Sequence, residues 1–224
     1  MTALLQRFID DGDLVLAGRP VGPFAMNQYV LMDRGASAAA IVDAGAPPEA
    51  FQTFARAEGC TVDKILQTHA HVDHVAGLAE TKRVLGVPIH LHPDDLPVYD
   101  HAVASGLLFG MKIDPPPPVD TRLAEGDVVH VGTIALRVMH TPGHAPGHVC
   151  FYAEEHGFIL AGDLLFKGSI GRTDLPGCDP TAMVESLRRL FTLPDATRVF
   201  AGHMGPTTLG AERVTNPFVR DLVG

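Results

Sequence analysis

The chain has 224 residues, 46% of them hydrophobic, with a formal charge of −9. That is enough apolar material for one well-filled core, and a single catalytic domain over residues 1–224 is the expectation. The acidic balance, without any Lys/Arg cluster, argues against a nucleic-acid surface, and no apolar stretch approaches the length of a membrane span.

The cysteines Cys60, Cys150 and Cys178 are odd in number and form no CxxC, so neither a disulfide framework nor a thiolate metal site is indicated. Met1 to Asp10 lacks the pattern of a secretory leader. A soluble protein of the cytoplasm is expected.

Leu14 to Ala17 reads as a first strand, and Gly18 to Pro23 as a turn-rich link. Asn27 to Met32 and Ala38 to Val42 are the next strands. The latter ends at Asp43-Ala44-Gly45, where Asp43 either caps a turn or faces a pocket. Pro47 to Ala57 has prolines suited to a first helical turn and places Phe51, Phe54 and Ala55 on one face. Val62 to Gln67 is a strand, and Val75 to Leu85 follows helical spacing up to Gly86. Pro88 to Leu91 is a short strand, with His90 and His92 read as ordinary strand-end residues. Pro93 to Leu108 is weakly helical. Pro115 to Pro118 is a stiff surface crossing that either roofs a pocket or merely connects.

The period then changes. Asp127 to Val131, Ile134 to His140, Gly147 to Tyr152 and Phe158 to Leu160 are short strands joined by tight turns. Asp179 caps a helix opening at Pro180, with Met183, Val184, Leu187 and Leu190-Phe191 as its apolar stripe. Arg198 to Ala201 is a further strand, and Leu209 to Arg213 a last helical turn or two. Strands and helices mix in both halves, so two packed sheets with helices outside fit better than one sheet.

The chemistry concentrates in Thr68-His69-Ala70-His71-Val72-Asp73-His74, between a buried strand and an amphipathic run. Imidazole and carboxylate are the usual ligands of zinc and similar ions. Three other strand ends place His or Asp beside Gly: His140 through His148, Ala161-Gly162-Asp163, and Ala201-Gly202-His203. Small neighbours let backbone approach a crowded centre. His69, His71, Asp73, His74, His144, Asp163 and His203 make seven donors. One zinc wants about four or five ligands including water, so seven suit two ions if Asp163 is shared. A water between two cations about 3.5–4 Å apart becomes a nucleophile, which is hydrolytic chemistry. No Ser-His-Asp order, Gly-x-Ser-x-Gly elbow or Gly-rich phosphate loop competes.

On these motifs, with Gly202-His203-Met204-Gly205-Pro206-Thr207-Thr208-Leu209-Gly210, Glu212 and Asn216-Pro217-Phe218, the chain resembles the metallo-β-lactamase superfamily. Within it, the resemblance is to hydroxyacylglutathione hydrolase (glyoxalase II) and its short bacterial relatives. The resemblance covers nearly the whole chain. It implies an α/β fold, a four-layer αβ/βα sandwich with metals at one edge between the sheets. It implies that His69, His71 and His144 hold one ion, that Asp73, His74 and His203 hold the other, and that Asp163 is shared. Asp43 would orient a ligand imidazole, and His148 matches a position that supports the site without binding metal. His140 stays outside the set. The expected cofactors are two divalent ions, zinc first, with iron or manganese as the other candidates.

The implied reaction is hydrolysis of S-2-hydroxyacylglutathione-type thioesters by a metal-bridging hydroxide, with Asp73 and Asp163 as catalytic carboxylates. The expected partner is a small-molecule thioester, with no nucleic acid or membrane, and the oligomeric state is left open. Arg172 occupies the place of a basic residue that helps hold glutathione. Asp174 stands where a tyrosine is expected, and the helical glutathione-binding region is missing, so Arg172 either grips substrate or pairs with Asp174. The rivals are a mononuclear iron persulfide dioxygenase using the His69, His144, Asp163 type of site, a lactone or ester hydrolase, and a non-catalytic metal protein.

Overall fold

The computed structural model describes residues 5–223. The part of the leader reading that falls on Met1 to Leu4 lies outside them. The first sheet runs in chain order through β1 (Gln6–Asp11), β2 (Leu14–Val21), β3 (Met26–Asp33), β4 (Ala38–Val42), β5 (Thr61–Leu66), β6 (Ile89–Leu91) and β7 (Thr121–Arg122). Its first three pairings are antiparallel hairpins, and from β4 onward the strands are parallel. That switch follows from the connections, because a parallel pair needs a crossover, here supplied by helices. These helices are α1 (Glu49–Ala57), α2 (Val72–Val75), α3 (Leu78–Leu85), α4 (Leu96–Asp100) and α5 (Ala102–Leu108).

The second sheet holds β8 (Val128–Val131), β9 (Ile134–His140), β10 (Val149–Ala153), β11 (Phe158–Gly162), β14 (Arg198–Ala201) and β15 (Thr207–Thr208), in the order β15-β14-β11-β10-β9-β8. A small hairpin, β12 (Leu165–Phe166) with β13 (Ser169–Ile170), stands apart. Helices α6 (Pro180–Leu190), α7 (Leu209–Thr215) and α8 (Arg220–Val223) follow.

Three apolar layers hold the stack together. Phe51 and Ala55 of α1, with Leu78 and Tyr99, pack on one face of the first sheet, against Val30, Ile41 and Ile65. Leu16, Leu31 and Leu66 from that sheet's other face meet Leu136, Val138, Phe151 and Phe158 of the second. Met183, Leu187 and Leu190 of α6 close the outer face against Cys150, Ile159 and Val199. All eight residues of β3 are buried, because the strand is covered on both faces. The result is two mixed sheets flanked by helices, the four-layer αβ/βα sandwich. Among the described residues, no helix is long and apolar enough to cross a membrane.

Three local readings change. Gly18 to Val21 is strand, not link. Pro20 is tolerated because the β1 pairing ends at Gly18, leaving β2 without a neighbour on that side at Pro20. The Val75 to Leu85 helix is two helices, α2 and α3, broken where the Gly77 N–H turns to donate to Ala44 O at 2.9 Å. The first strand, β1, carries exposed charged residues on an edge and shows little apolar alternation. The α6 start is built as its sequence suggests. Asp179 accepts from the N–H groups of Thr181 and Ala182 at 2.8 and 3.1 Å, with Pro180 in the first turn.

Candidate metal centre

The seven donors arrive from four places at one edge of the sandwich. The turn after β5 and the start of α2 bring His69, His71, Asp73 and His74. The β9–β10 loop brings His144, the end of β11 brings Asp163, and the end of β14 brings His203. Buried strands deliver them, so most are themselves buried, with His69 and His74 fully so.

The structure brings them together in interlocking groups. His69, His71 and His144 form one, and Asp73, His74 and His203 another. His69, His74 and Asp163 form a third that joins them, the donor atoms within each group lying within 4.8 Å of one another. Asp163 lies at the junction. Its Oδ2 is 3.4 Å from both His144 Nε2 and His203 Nε2, and its Oδ1 is 3.4 Å from His74 Nε2. Asp73 Oδ2 lies 3.2 Å from His203 Nε2. The crowding requires glycine at Gly202, where a Cβ would stand 2.1 Å from Asp163 Oδ1.

The residues fit two cations by a test internal to the fold. His69 Nε2, His74 Nε2 and Asp163 Oδ1 are buried with no hydrogen-bond partner. Buried polar atoms are nearly always partnered, and these three belong to the group that joins the other two. Their neighbours fix which ring nitrogen is left over. Asp43 Oδ2 accepts from His74 Nδ1 at 3.0 Å and from Thr68 Oγ1 at 2.8 Å. With its proton committed to Asp43, the Thr68 hydroxyl accepts from His69 Nδ1 at 3.0 Å. Asp43 therefore orients His74 directly and His69 through Thr68, turning both Nε2 atoms toward the centre. Asp43 is held at φ +56°, a left-handed conformation uncommon outside glycine, and its other oxygen accepts from Thr68 N at 2.7 Å. His144 Nδ1 donates to Arg172 O at 2.8 Å, which turns its Nε2 inward.

Charge is distributed to match. Burial, reinforced by neighbouring imidazoles, pushes His69 well below the ordinary histidine value and His71 down to about 3. Burial also holds His144 low. For Asp163, burial works against the charge, yet His74, His203 and His144 outweigh it and keep the carboxylate ionised. Burial likewise opposes charge on His74 and His203, and the carboxylates outweigh it, lifting His203 to about 9. His69, His71 and His144 are thus held in the neutral form that binds metal and Asp163 in the ionised form, while the carboxylates favour protons on His74 and His203 that an arriving cation would displace.

The supporting residues are placed as follows. His148 has both nitrogens committed: Nε2 accepts from Asp163 N at 3.0 Å, and Nδ1 faces Thr141 Oγ1 at 2.9 Å. Its position is the back of Asp163. Arg172 commits its guanidinium to an exposed two-bond pair with Asp174 at 2.7 and 2.8 Å. His92, Asp94 and His140 form a further group, but the two rings stack at 4.0 Å and 10°. Their in-plane lone pairs run side by side instead of converging. His140 Nε2 already meets Pro146 O at 2.9 Å, and His92 Nδ1 accepts from Asp94 N at 3.2 Å.

Two residues of the site escape sequence reading. Gln67 accepts from Ala44 N at 2.9 Å and donates to His74 O at 3.0 Å, tying the Asp43 turn to α2. Asp95 is fully buried behind the ligand loops. Neither lies in a metal-like motif. The rim is different in kind. Met204 follows the donor His203 and its carbonyl accepts from Asn27 at the start of β3, while Phe24, just before that strand, meets Phe109 edge-on at 5.6 Å; all three apolar side chains are exposed.

Residues 21–203 match the model of the metallo-beta-lactamase superfamily. The chain belongs to that superfamily. A crystal structure of TTHA1623 in a di-iron-bound form is 42% identical, with a TM-score of 0.80 over 89% of this chain and 98% of that one. The crystal structure of BLEG-1 B3 metallo-beta-lactamase is 36% identical, with a TM-score of 0.83 over 91% and 99% of the two chains. A hydroxyacylglutathione hydrolase of Haemophilus influenzae, GloC, is 32% identical over 203 residues, covering 89% of this chain and 95% of its own length. A two-ion His/Asp centre in this fold is the equipment of a metal-dependent hydrolase.

Proposed function

We propose that this chain hydrolyses acyl thioesters of the S-2-hydroxyacylglutathione type. The observation that carries the reading is Asp163, whose two oxygens divide between the His144 and His203 side and the His74 side. His69, His71 and His144 would hold one ion, Asp73, His74 and His203 the other, with Asp163 common to both. When bound, such a pair supplies an activated water and positive charge for a developing oxyanion. The chain's own groups do the rest. Asp43 and Arg172 O hold three imidazoles in the orientation that binds metal. Asp73, partly exposed at the mouth, orients the attacking water. The apolar rim of Phe24, Phe109 and Met204 suits an acyl group with little charge. The Arg172–Asp174 pair makes a tight grip on a glutathione carboxylate secondary, so the thiol carrier is the less constrained half of the substrate.

A second reading, iron-dependent persulfide dioxygenation, has its own support. TTHA1623 takes iron, there as a pair, and His69, His144 and Asp163 are adjacent here as the single-iron site of that chemistry needs. The likeness to BLEG-1 adds β-lactam opening as a further hydrolytic arm.

One experiment separates the readings. Ions per chain are counted on the purified protein, and the same preparation is assayed for lactoylglutathione hydrolysis, oxygen uptake with glutathione persulfide, and β-lactam opening. Thioester turnover with two ions per chain is the expected result. Oxygen uptake with one iron per chain and no thioester turnover would replace the reading with the second. Loss of all three activities with both ions present would leave a metal protein without catalysis.

A further inference from the structure

Asp95 lies outside every ligand motif, in the short turn Pro93–Asp95 that follows β6. It is a fully buried carboxylate. Its two oxygens serve two different loops. Oδ2 accepts from Ala70 N at 2.6 Å, and Oδ1 accepts from Gly147 N at 2.7 Å. Ala70 is the residue between His69 and His71. Gly147 lies between His144 and His148. One carboxylate thus fastens the loop from the first sheet to the loop from the second.

The approach is close on both sides. A Cβ on Gly147 would stand 2.4 Å from Asp95 N and 2.8 Å from Asp95 Cβ, so this loop reaches its position only with glycine there. Among the described residues, the direct backbone tie between these segments is Val149 N to Thr68 O at 2.8 Å, at the strand ends. Beyond that tie, His71 and His144 come within 2.8 Å of each other, Nδ1 to Nε2. That contact is a hydrogen bond when the proton sits on His71 Nδ1, and it leaves the spacing of the two backbones to other groups. A buried carboxylate without a cationic partner is expensive unless its hydrogen bonds are placed to use it. Here those bonds go to the two segments whose spacing decides whether three imidazoles can share an ion.

We propose that Asp95 is a positioning residue that sets the distance between the His69–His71 loop and the His144 loop, and through it the affinity of the three-histidine group for its ion. The proposal rests on the metal-centre reading, though not on the choice of substrate. Both of its hydrogen bonds among the described residues go to backbone N–H groups, so it acts on the ligands through the chain that carries them.

The test is Asp95→Asn in apo-protein titrated with cobalt(II), whose visible spectrum reports coordination, alongside the thermal midpoint of the apo-protein. Asparagine keeps the shape but sets an NH2 against one of the two N–H donors. The parent should take up two equivalents. The variant should bind one normally and the other about 10–100-fold more weakly, the usual cost of losing a residue that orients metal ligands. A variant that melts earlier yet titrates like the parent would make Asp95 a stability residue only, and the proposal would fail. A parent that takes up no cobalt would sink the metal centre itself, a result distinct from the first. If D95N does not fold, Gly147→Ala displaces the same contact from the other side, and an unchanged titration there overturns the proposal equally.

Discussion

The wall behind the seven donors and the mouth in front of them are built by different rules. Behind, Asp43, Gln67, Thr68, Asp95 and His148 are buried, and each is engaged by hydrogen bonds to backbone or to a ligand. In front, Phe24, Phe109 and Met204 are exposed, and Arg172 bonds to its near neighbour Asp174. The wall specifies an ion, because fixed orientations and fixed charges leave few alternatives. The mouth specifies little, because its side chains are held by few bonds.

The strongest way to break the wall is at its junction. Asp163→Ala removes the one carboxylate that faces both groups of imidazoles. Ion content should fall toward zero and turnover by more than about 100-fold, beyond the loss expected from any supporting residue. Elemental analysis and a turnover assay on the same preparation check it. Two ions retained in the variant would mean that the groups are independent sites.

Next in size is the relay through Asp43. Asp43→Ala frees His74 and His69 together, and should weaken ion binding by about 10–100-fold. Thr68→Val cuts only the branch to His69, so its loss should be the smaller of the two. Chelator competition measures both. Equal losses would mean that His69 does not depend on Asp43 through the hydroxyl.

How much of this was legible beforehand follows from where each residue's partner lies. The seven donors were readable because each sits in a short motif at a strand end, and strand ends are set by local apolar runs. Ligand arithmetic suggested that Asp163 would have to be shared, and the structure sets its oxygens 3.4 Å from imidazoles of both groups. Asp43 was open between a turn and a pocket, and its three hydrogen bonds now place it in the centre. Asp95 was not readable. It stands in His92-Pro93-Asp94-Asp95, an ordinary helix-start sequence, and its partners lie 25 and 52 residues away as backbone N–H groups that carry no residue identity. Gly147 was the nearest clue, since its need for close approach shows only when the facing element is known. The β1 edge strand and the two-residue strands β7, β12, β13 and β15 were missed because exposed or very short strands lack a periodic signal.

At the mouth the effects should be smaller and of another kind. Arg172→Ala should raise KM for a glutathione thioester a few-fold with kcat held, since an exposed pair of this sort is worth at most about 1 kcal/mol and the His144 contact uses the backbone carbonyl of Arg172. Asp174→Ala frees the guanidinium and should lower KM. If both variants match the parent, Arg172 plays no part in binding substrate, and the carrier thiol is gripped elsewhere.

The smallest effect on turnover should come from a carboxylate equally buried but remote from the ions, which isolates burial from metal binding. Asp33, at the far end of β3, accepts from Thr133 N and Oγ1 at 2.7 and 2.6 Å and from Ala36 N at 3.1 Å, joining the first sheet to the β8–β9 turn. Burial pushes its pKa up, but these bonds outweigh it and hold the carboxyl below its ordinary value. A depressed pKa means that the charged form is favoured in the folded protein. Its contribution is complete above the unfolded value of about 3.9 and is lost as pH falls through the folded value. Asp33→Asn should therefore be less stable than the parent at neutral pH by about 1–3 kcal/mol, the scale of hydrogen bonds to a charged group. The two melting curves should converge in strong acid, while ion content and turnover of the folded protein stay at the parent's level. A variant that lost ions as well would show that the strand carrying Asp33 transmits strain to the centre, and the separation between wall and scaffold would fail.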